Sequence, residues 1–392
     1  VKSYLAFLTA LSLLTTVVVL QTLSASLAGI QEKPTLDGAD RIRSDQWHLR
    51  YLEVEKAHKL NQGEGSVVAV PDTGVFPHSD LRNNLLPGAD VIPGGEGDGR
   101  QDRDSHGTAM AGLIAAHGRG ATIGALGVAP KAKILPIFCT PAHGVGHPDA
   151  LADAIDVAVD GGVDVISISS VGGTSPKLIR ALGAAIAADT VVVAGVGNKT
   201  SDSRVGYPAS HPGVIAVAGI DQKGNHDPIS VTGPEITLAA PAADLYSTSY
   251  DGGYSRGTGT SGAAAIVAGA AALVRAKYPY LPADEVAHRL TATAIDKGPP
   301  GRDDQYGYGV IDLVAALTAD VPPRGFGPAP TAAPDGTGPT TAAADGPQAD
   351  GGRAATVRGL VTLGVLVAAG GAWALLIRRR RRSDDPPPRV TH

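Results

Sequence analysis

Residues 257–269 read GTGTSGAAAIVAG, and almost every side chain in them is very small. One serine, Ser261, stands between a glycine-rich turn and an alanine run. Three readings fit the stretch alone. It is flexible filler, or a helix start with Ser261 as its N-cap, or a turn that presents a nucleophile. In the third case the unpaired N–H groups and the dipole of the helix start would favour negative charge on a substrate oxygen. Position does not separate the last two readings.

The segments upstream place this stretch in a fold. Five short runs, SVVAV (66–70), KILPIF (133–138), VDVISIS (163–169), TVVVAG (190–195) and VIAVAG (214–219), are near-continuous in Val, Ile and Ala. Such runs fit strands buried on both faces. Helical patterns fall between and after them, over roughly 108–117, 149–160, 176–188 and 262–277. The alternation predicts a mainly parallel sheet covered by helices on both sides, a three-layer α/β fold. Ligands of such sheets bind beyond the carboxyl ends of the strands. Polar residues there are the candidates for chemistry.

Four stand out. Asp72 ends the first strand in VAVPDTGV (68–75), where a carboxylate can orient a histidine, although Asp-Thr-Gly is also ordinary turn chemistry. His106 opens a small-residue helix in DSHGTAMAGLIAA (104–116), followed by Gly107, which permits close approach of another segment. Asn198 ends TVVVAGVGN (190–198), where its amide can donate to a developing oxyanion or simply form a turn. Ser261 is the fourth. Their order, Asp, His, Ser, is one of the known orders of a serine triad.

On these residues the chain resembles the subtilase family of serine peptidases. Its stretches VAVPDTGV, HGTAMAGLIAA, VVVAGVGN and GTSGAAAIVAG carry the resemblance. Four more support it in order: GVAPKAKILPI, YPASHPGVIAVAG, LAAPAADLYST and DDQYGYGVIDLVAAL. The resemblance spans about residues 40–318. It implies a subtilisin-like fold and hydrolysis of peptide bonds through an acyl-enzyme. Asp72, His106 and Ser261 would form the triad, and Asn198 the oxyanion site. The edge at Ser169, Gly172 and Gly173 in SISSVGG would bind a peptide substrate as an added strand. A lipase or esterase needs a different arrangement around its serine.

The resemblance also exposes departures. Pro71 replaces an apolar residue before Asp72 and removes a backbone donor. Met110 stands where a smaller β-branched residue is usual, Gly262 where a larger side chain is usual, and Ala265 where a proline is usual. These departures support a rival reading, a weakly active or inactive subtilase domain serving as a scaffold in a membrane complex. No cofactor is expected. Calcium is common in the family, and Asp80 in HSDL matches a position used for it, but no full ligand set is readable. His48, His78 and His143 are expected to be structural or surface residues.

The ends carry addresses. Residues 1–28 hold Lys2, the apolar run YLAFLTALSLLTTVVVL and small residues before Ala28, the form of a secretory signal peptide. A short extension (29–40) precedes the peptidase domain (41–318), and a Pro-, Ala- and Gly-rich linker (319–358) follows it. Residues 359–377 are uncharged and apolar, long enough for a membrane-spanning helix. Arg378 to Arg382 open a basic tail (378–392) that would stay cytoplasmic, leaving the domain outside. Signal, the DQWHL segment (45–49) shortly before the Asp72 strand, linker, helix and Arg tail are together most similar to the mycosins, membrane-anchored subtilases associated with type VII secretion in actinobacteria. A peptide or protein substrate, the membrane and a secretion complex are the expected partners. Nucleic acid is not, because net charge is −5 and the Arg run is the one dense basic cluster. The single cysteine, Cys139, excludes an intramolecular disulfide and reads as a small buried hydrophobe.

Overall fold

The computed structural model describes residues 38–141 and 146–324. The signal peptide, the apolar run 359–377, the Arg tail, His143 and most of the linker lie outside the described residues. Among the described residues no helix is long and apolar enough to cross a membrane.

Three short helices come first: α1 (Ala39–Asp45), α2 (Trp47–Tyr51) and α3 (Val54–His58). The sheet then builds from β1 (Val67–Asp72), β2 (Ala89–Asp90), β3 (Lys133–Phe138), β4 (Val165–Ile168), β5 (Val191–Gly195), β6 (Ile215–Ile220) and β7 (Leu238–Pro241). The order across it is β2-β3-β1-β4-β5-β6-β7, with every pair parallel. A separate antiparallel hairpin joins β8 (Leu245–Thr248) to β9 (Tyr254–Gly257). The remaining helices are α4 (His106–Ala115), α5 (Pro148–Asp160), α6 (Pro176–Ala187), α7 (Thr260–Lys277), α8 (Ala283–Ala292) and α9 (Leu313–Thr318).

The continuous apolar strands feed two cores at once, because side chains alternate across a sheet. Val68, Val70, Val165, Val191, Val193, Ile215 and Val217 face the layer holding α4 and α7. Ala69, Ile166, Ile168, Val192, Ala194 and Ala216 face α5 and α6. The α4–α7 layer is packed with alanine: Ala263, Ala264, Ala265, Ala268, Ala271 and Ala272 are all fully buried. Such small side chains let α7 pass close over β4, β5 and β6. The two outer helices show the expected starts. Pro148 and Pro176 each open a helix, and His147 and Ser175 accept from backbone N–H groups as caps.

Pro71 sits inside β1 without breaking it. The Val67 carbonyl accepts from the Asp164 N–H and the Val67 N–H donates to the Asp164 carboxylate on the β4 side, and the Asp72 carbonyl accepts from the Cys139 N–H on the β3 side. The alternation puts the missing Pro71 donor on the β4 side, where pairing runs only through Val68 and Ala69. No ladder bond is lost there. Cys139 is buried and free, and burial pushes its thiol up to about 12.

Candidate active site

Asp72 is the last residue of β1, and its side chain is 4% exposed. Its Oδ1 accepts from the Thr73 N–H at 2.7 Å. Both oxygens face the His106 Nδ1, at 2.7 and 2.9 Å. A carboxylate can only accept, so Nδ1 carries the proton and Nε2 is left as the base in the neutral ring. Burial lowers the imidazole pKa, but the Asp72 charge and hydrogen bond, with Asp104 and Asp102 behind them, outweigh it and raise it to about 9. The ring's side chain is 34 % exposed, and solvent screens part of that attraction.

Gly107 makes the pairing possible. A Cβ there would lie 2.1 Å from the Gly74 carbonyl oxygen and 3.1 Å from the Asp72 Cβ. The glycine brings the Asp72 loop onto the start of α4. Ser105, just before His106, takes a left-handed φ of 86°. That conformation costs a non-glycine residue about 1–2 kcal/mol, so neighbouring bonds must hold it. The Ser105 hydroxyl pairs with that of Ser249 at 2.7 Å and accepts from the Tyr250 N–H at 3.1 Å. The hairpin also grips α4 directly. Ser247 and Thr248 hydroxyls donate to the Ala109 and Thr108 carbonyls.

Asn198 lies three residues beyond β5. Gly197 takes the left-handed φ of 107° at this turn, not Asn198. The Asn198 Oδ1 accepts from the Thr260 N–H at 3.0 Å. That donor fixes which end of the amide is the oxygen and leaves Nδ2 as its donor end. The Asn198 N–H donates to Asp202 at 3.0 Å.

Ser261 is the second residue of α7, and the cap position belongs to Gly259. The N-cap reading of Ser261 therefore does not hold, because its hydroxyl bonds no helix N–H. That hydroxyl instead donates to the Ser169 carbonyl at 2.8 Å, while the Ser169 hydroxyl donates to the Ser261 carbonyl at 3.2 Å. Asp72, His106, Asn198 and Ser261 line one cleft of about 460 Å³. Met110 and Leu245 line it too. Gly262 has no side chain because Leu245 holds that space: a Cβ at 262 would lie 2.4 Å from the Leu245 Cδ1. Ala265 is fully buried.

The expected substrate edge is engaged within the chain. The Ser169 carbonyl takes the Ser261 hydroxyl, and the Gly172 N–H donates to the Tyr207 carbonyl at 3.0 Å. Gly172 and Gly173 line a smaller cavity beside the main cleft, with Val171 and Leu178.

Asp102 is the residue of this region that the sequence reading passed over. It is buried, and its carboxylate gathers the turn before His106. An acidic residue just before a helix start was the available signal.

Calcium does not fit at Asp80. The carboxylate is fully buried. Its Oδ1 meets the Arg119 Nε at 2.7 Å, and its Oδ2 accepts from the Tyr254 hydroxyl at 2.6 Å and the Ala125 N–H at 2.7 Å. The neighbouring carbonyls of Ala121, Ile123 and Gly124 accept from the Arg43 guanidinium. Calcium needs just such carboxylate and carbonyl oxygens. Two guanidinium groups already hold them, and a divalent ion would sit against like charge. His78 is buried beside them, its Nδ1 accepting from the Asp80 N–H and its Nε2 bonded to the Gly252 carbonyl. His48 is also fully buried.

The chain belongs to the subtilase family of serine peptidases: residues 63–309 match the family model described as Subtilase family. It is 36% identical over 268 residues to the thermostable alkaline protease of Halalkalibacterium halodurans, covering 68% of this chain and 71% of that protein. It is 37% identical over 260 residues to subtilisin DY of Bacillus licheniformis, covering 65% and 92%. Among solved structures it is similar to MycP1 from Mycobacterium smegmatis, with TM-score 0.65, 30% identity and coverage of 74% of this chain and 91% of that one. MycP3 protease from the type VII (ESX-3) secretion system gives TM-score 0.63, 33% identity and coverage of 74% and 94%. The fold is accordingly subtilisin-like, and the protein is a serine-type peptidase acting on peptides or proteins.

Proposed function

We propose that the chain cleaves peptide bonds through an acyl-enzyme formed on Ser261. The observation that carries this is the double contact of Asp72 with the His106 Nδ1, in one cleft with Ser261 and Asn198. His106 takes the serine proton at Nε2 as the hydroxyl attacks the carbonyl carbon. Asp72 keeps the ring in that tautomer and stabilises its charged form. The Asn198 amide and the Ser261 N–H hold the oxyanion. His106 then gives the proton to the leaving amine. Water releases the acyl group by the same steps in reverse roles.

Two adjustments precede attack. The Ser261 hydroxyl leaves the Ser169 carbonyl for the imidazole, a turn between staggered side-chain wells. The substrate strand takes over the Ser169 carbonyl and the Gly172 N–H, which now bond within the chain, and pairs alongside Gly173. The apolar run 359–377 anchors the enzyme, with its domain outside the membrane, and likeness to the MycP proteases supports work beside a type VII secretion complex. No cofactor enters these steps.

A second reading draws support from the same Ser261–Ser169 bond: a domain whose serine rests away from its base and which acts as a scaffold. Cleavage of a peptide library by the purified ectodomain separates them. The proposal expects cleavage that Ser261→Ala abolishes. Equal products from wild type and Ser261→Ala, or none from wild type, would support the scaffold.

A further inference from the structure

Asp102 sits four residues before His106, and the residue is 5 % exposed. Five donors converge on it. Its Oδ1 accepts from the Thr73 hydroxyl at 3.0 Å, the Asp104 N–H at 2.8 Å and the Ser105 N–H at 3.0 Å. Its Oδ2 accepts from the Thr108 N–H at 3.0 Å and the Thr108 hydroxyl at 2.5 Å. The partners themselves reach further. The Thr73 hydroxyl oxygen accepts from the Gly107 N–H at 3.0 Å, and that of Thr108 accepts from the Phe76 N–H at 2.9 Å.

These bonds join two segments. One is the loop leaving β1, Asp72 to Phe76. The other is the turn into α4, Asp102 to Thr108. Capping α4 alone needs only the Ser105 and Thr108 arms. The Thr73 arm reaches back to the residue beside Asp72, and the same hydroxyl oxygen takes the Gly107 N–H in the first turn of α4, so it ties the two segments to each other. The Ser105 arm holds the left-handed residue that aims His106, and the hairpin holds it from the other side.

We infer that Asp102 is a positioning residue for the peptidase reaction: it clamps the Asp72 loop to the His106 turn and so sets where the imidazole points. The inference rests on the triad proposed above. Its charge has a second effect on the ring. Asp72 from β1 and Asp102 and Asp104 from the turn all favour the imidazolium, against the burial that disfavours it. Arg256 from β9 lines the same cleft. Burial raises the Asp102 carboxyl itself above the usual carboxylate range, and its hydrogen bonds oppose that rise.

Two variants separate the arms. Asp102→Asn keeps the shape and removes the charge and one acceptor oxygen. Thr73→Val removes the arm to the Asp72 loop and the acceptor of the Gly107 N–H, and leaves the Asp102 bonds to Ser105 and Thr108. A misplacement near 1 Å costs about 10²-fold, so Asp102→Asn should lower kcat by about 10- to 100-fold with KM within about threefold. Thr73→Val should lower kcat in the same direction. NMR of the His106 ring, carried out in the Ser261→Ala background, reads the clamp without any turnover. Asp102→Asn should move the ring titration to lower pH, because one negative charge facing the imidazolium is gone. Thr73→Val should alter the Nδ1–H signal with less movement of the titration. The inference is overturned if Asp102→Asn only lowers the melting temperature, leaving the ring titration and the Nδ1–H signal as in the parent. It is also overturned if both variants keep wild-type kcat. Failure of the triad has a different signature: the wild type neither cleaves peptides nor reacts with a serine probe, whatever the ring titration shows.

Discussion

Arg119→Ala tests whether guanidinium groups, rather than calcium, neutralise the buried Asp80 carboxylate. The substitution removes the Nε donor from the fully buried Asp80 carboxylate and a second donor from the Tyr254 hydroxyl. Tyr254 and Ala125 remain on Oδ2, so Oδ1 loses its strong partner. Breaking one side of a buried ion pair typically costs about 3–5 kcal/mol. The Arg119 side chain is 40% exposed, so water replaces part of what it gave. A loss of about 2–3 kcal/mol is expected. For a domain of this size that is a fall in Tm of about 5–10 °C. Thermal unfolding is the assay, with the wild type also scanned in excess chelator and in millimolar calcium. The wild-type Tm should be the same in both. A Tm that falls with chelator and returns with calcium would refute the account, and so would Arg119→Ala melting with the wild type.

Three further outcomes are expected. Asn198→Ala should reduce kcat by about 10²- to 10³-fold with little change in KM, measured by steady-state kinetics, since it removes one oxyanion donor; an unchanged kcat would remove Asn198 from the site. Gly107→Ala should push the Asp72 loop off α4, where its Cβ would meet the Gly74 oxygen at 2.1 Å, and lower kcat at least about tenfold; a wild-type rate would show that the close approach is not needed. His48 is held neutral, its pKa pulled down to about 3 by burial and then by Arg50. Its folded pKa lies below the unfolded value near 6.5, so its contribution to stability is complete above that value and is lost as pH falls toward about 3. The loss is about 1.4 kcal/mol per pH unit within that window. His58, His78 and His226, also lowered by burial, act in the same direction. In urea unfolding at several pH values, His48→Leu should show a shallower acid slope than the wild type; equal slopes would sink this point.

The legible part of the molecule is where one residue type speaks for its own surroundings. Strands β1, β3, β4, β5 and β6 are buried on both faces, so their Val, Ile and Ala runs needed no partner to be read. Strand β7, Leu-Ala-Ala-Pro, carries little strand propensity and is formed by pairing with β6. The hairpin is polar in sequence because its hydroxyls bond the α4 backbone rather than water. Asp72, His106, Asn198 and Ser261 were visible because each follows a strand or opens a helix.

Asp102 and Asp80 were not legible in the same way. Asp102 draws no reading, and Asp80 reads only as a match to a calcium position, because the partners that hold each carboxylate lie far away in sequence. Asp102 is partnered by Thr73, 29 residues earlier, and Asp80 by Tyr254, 174 residues later. Gly262 looked like a loosened site from sequence alone. In the fold, Leu245 of the hairpin fills the missing volume. The turn of the Ser261 hydroxyl toward Ser169 depends on side-chain placement that no motif records.

The central claim is that Ser261 is a nucleophile activated by His106. Labelling of the purified protein with a fluorophosphonate, followed by mass mapping of the modified peptide, tests it most directly. The account predicts one adduct on Ser261, formed faster as pH rises toward about 9 and the imidazole loses its proton, and abolished in Ser261→Ala. An unlabelled wild type, or a label that persists at another residue in Ser261→Ala, would contradict it.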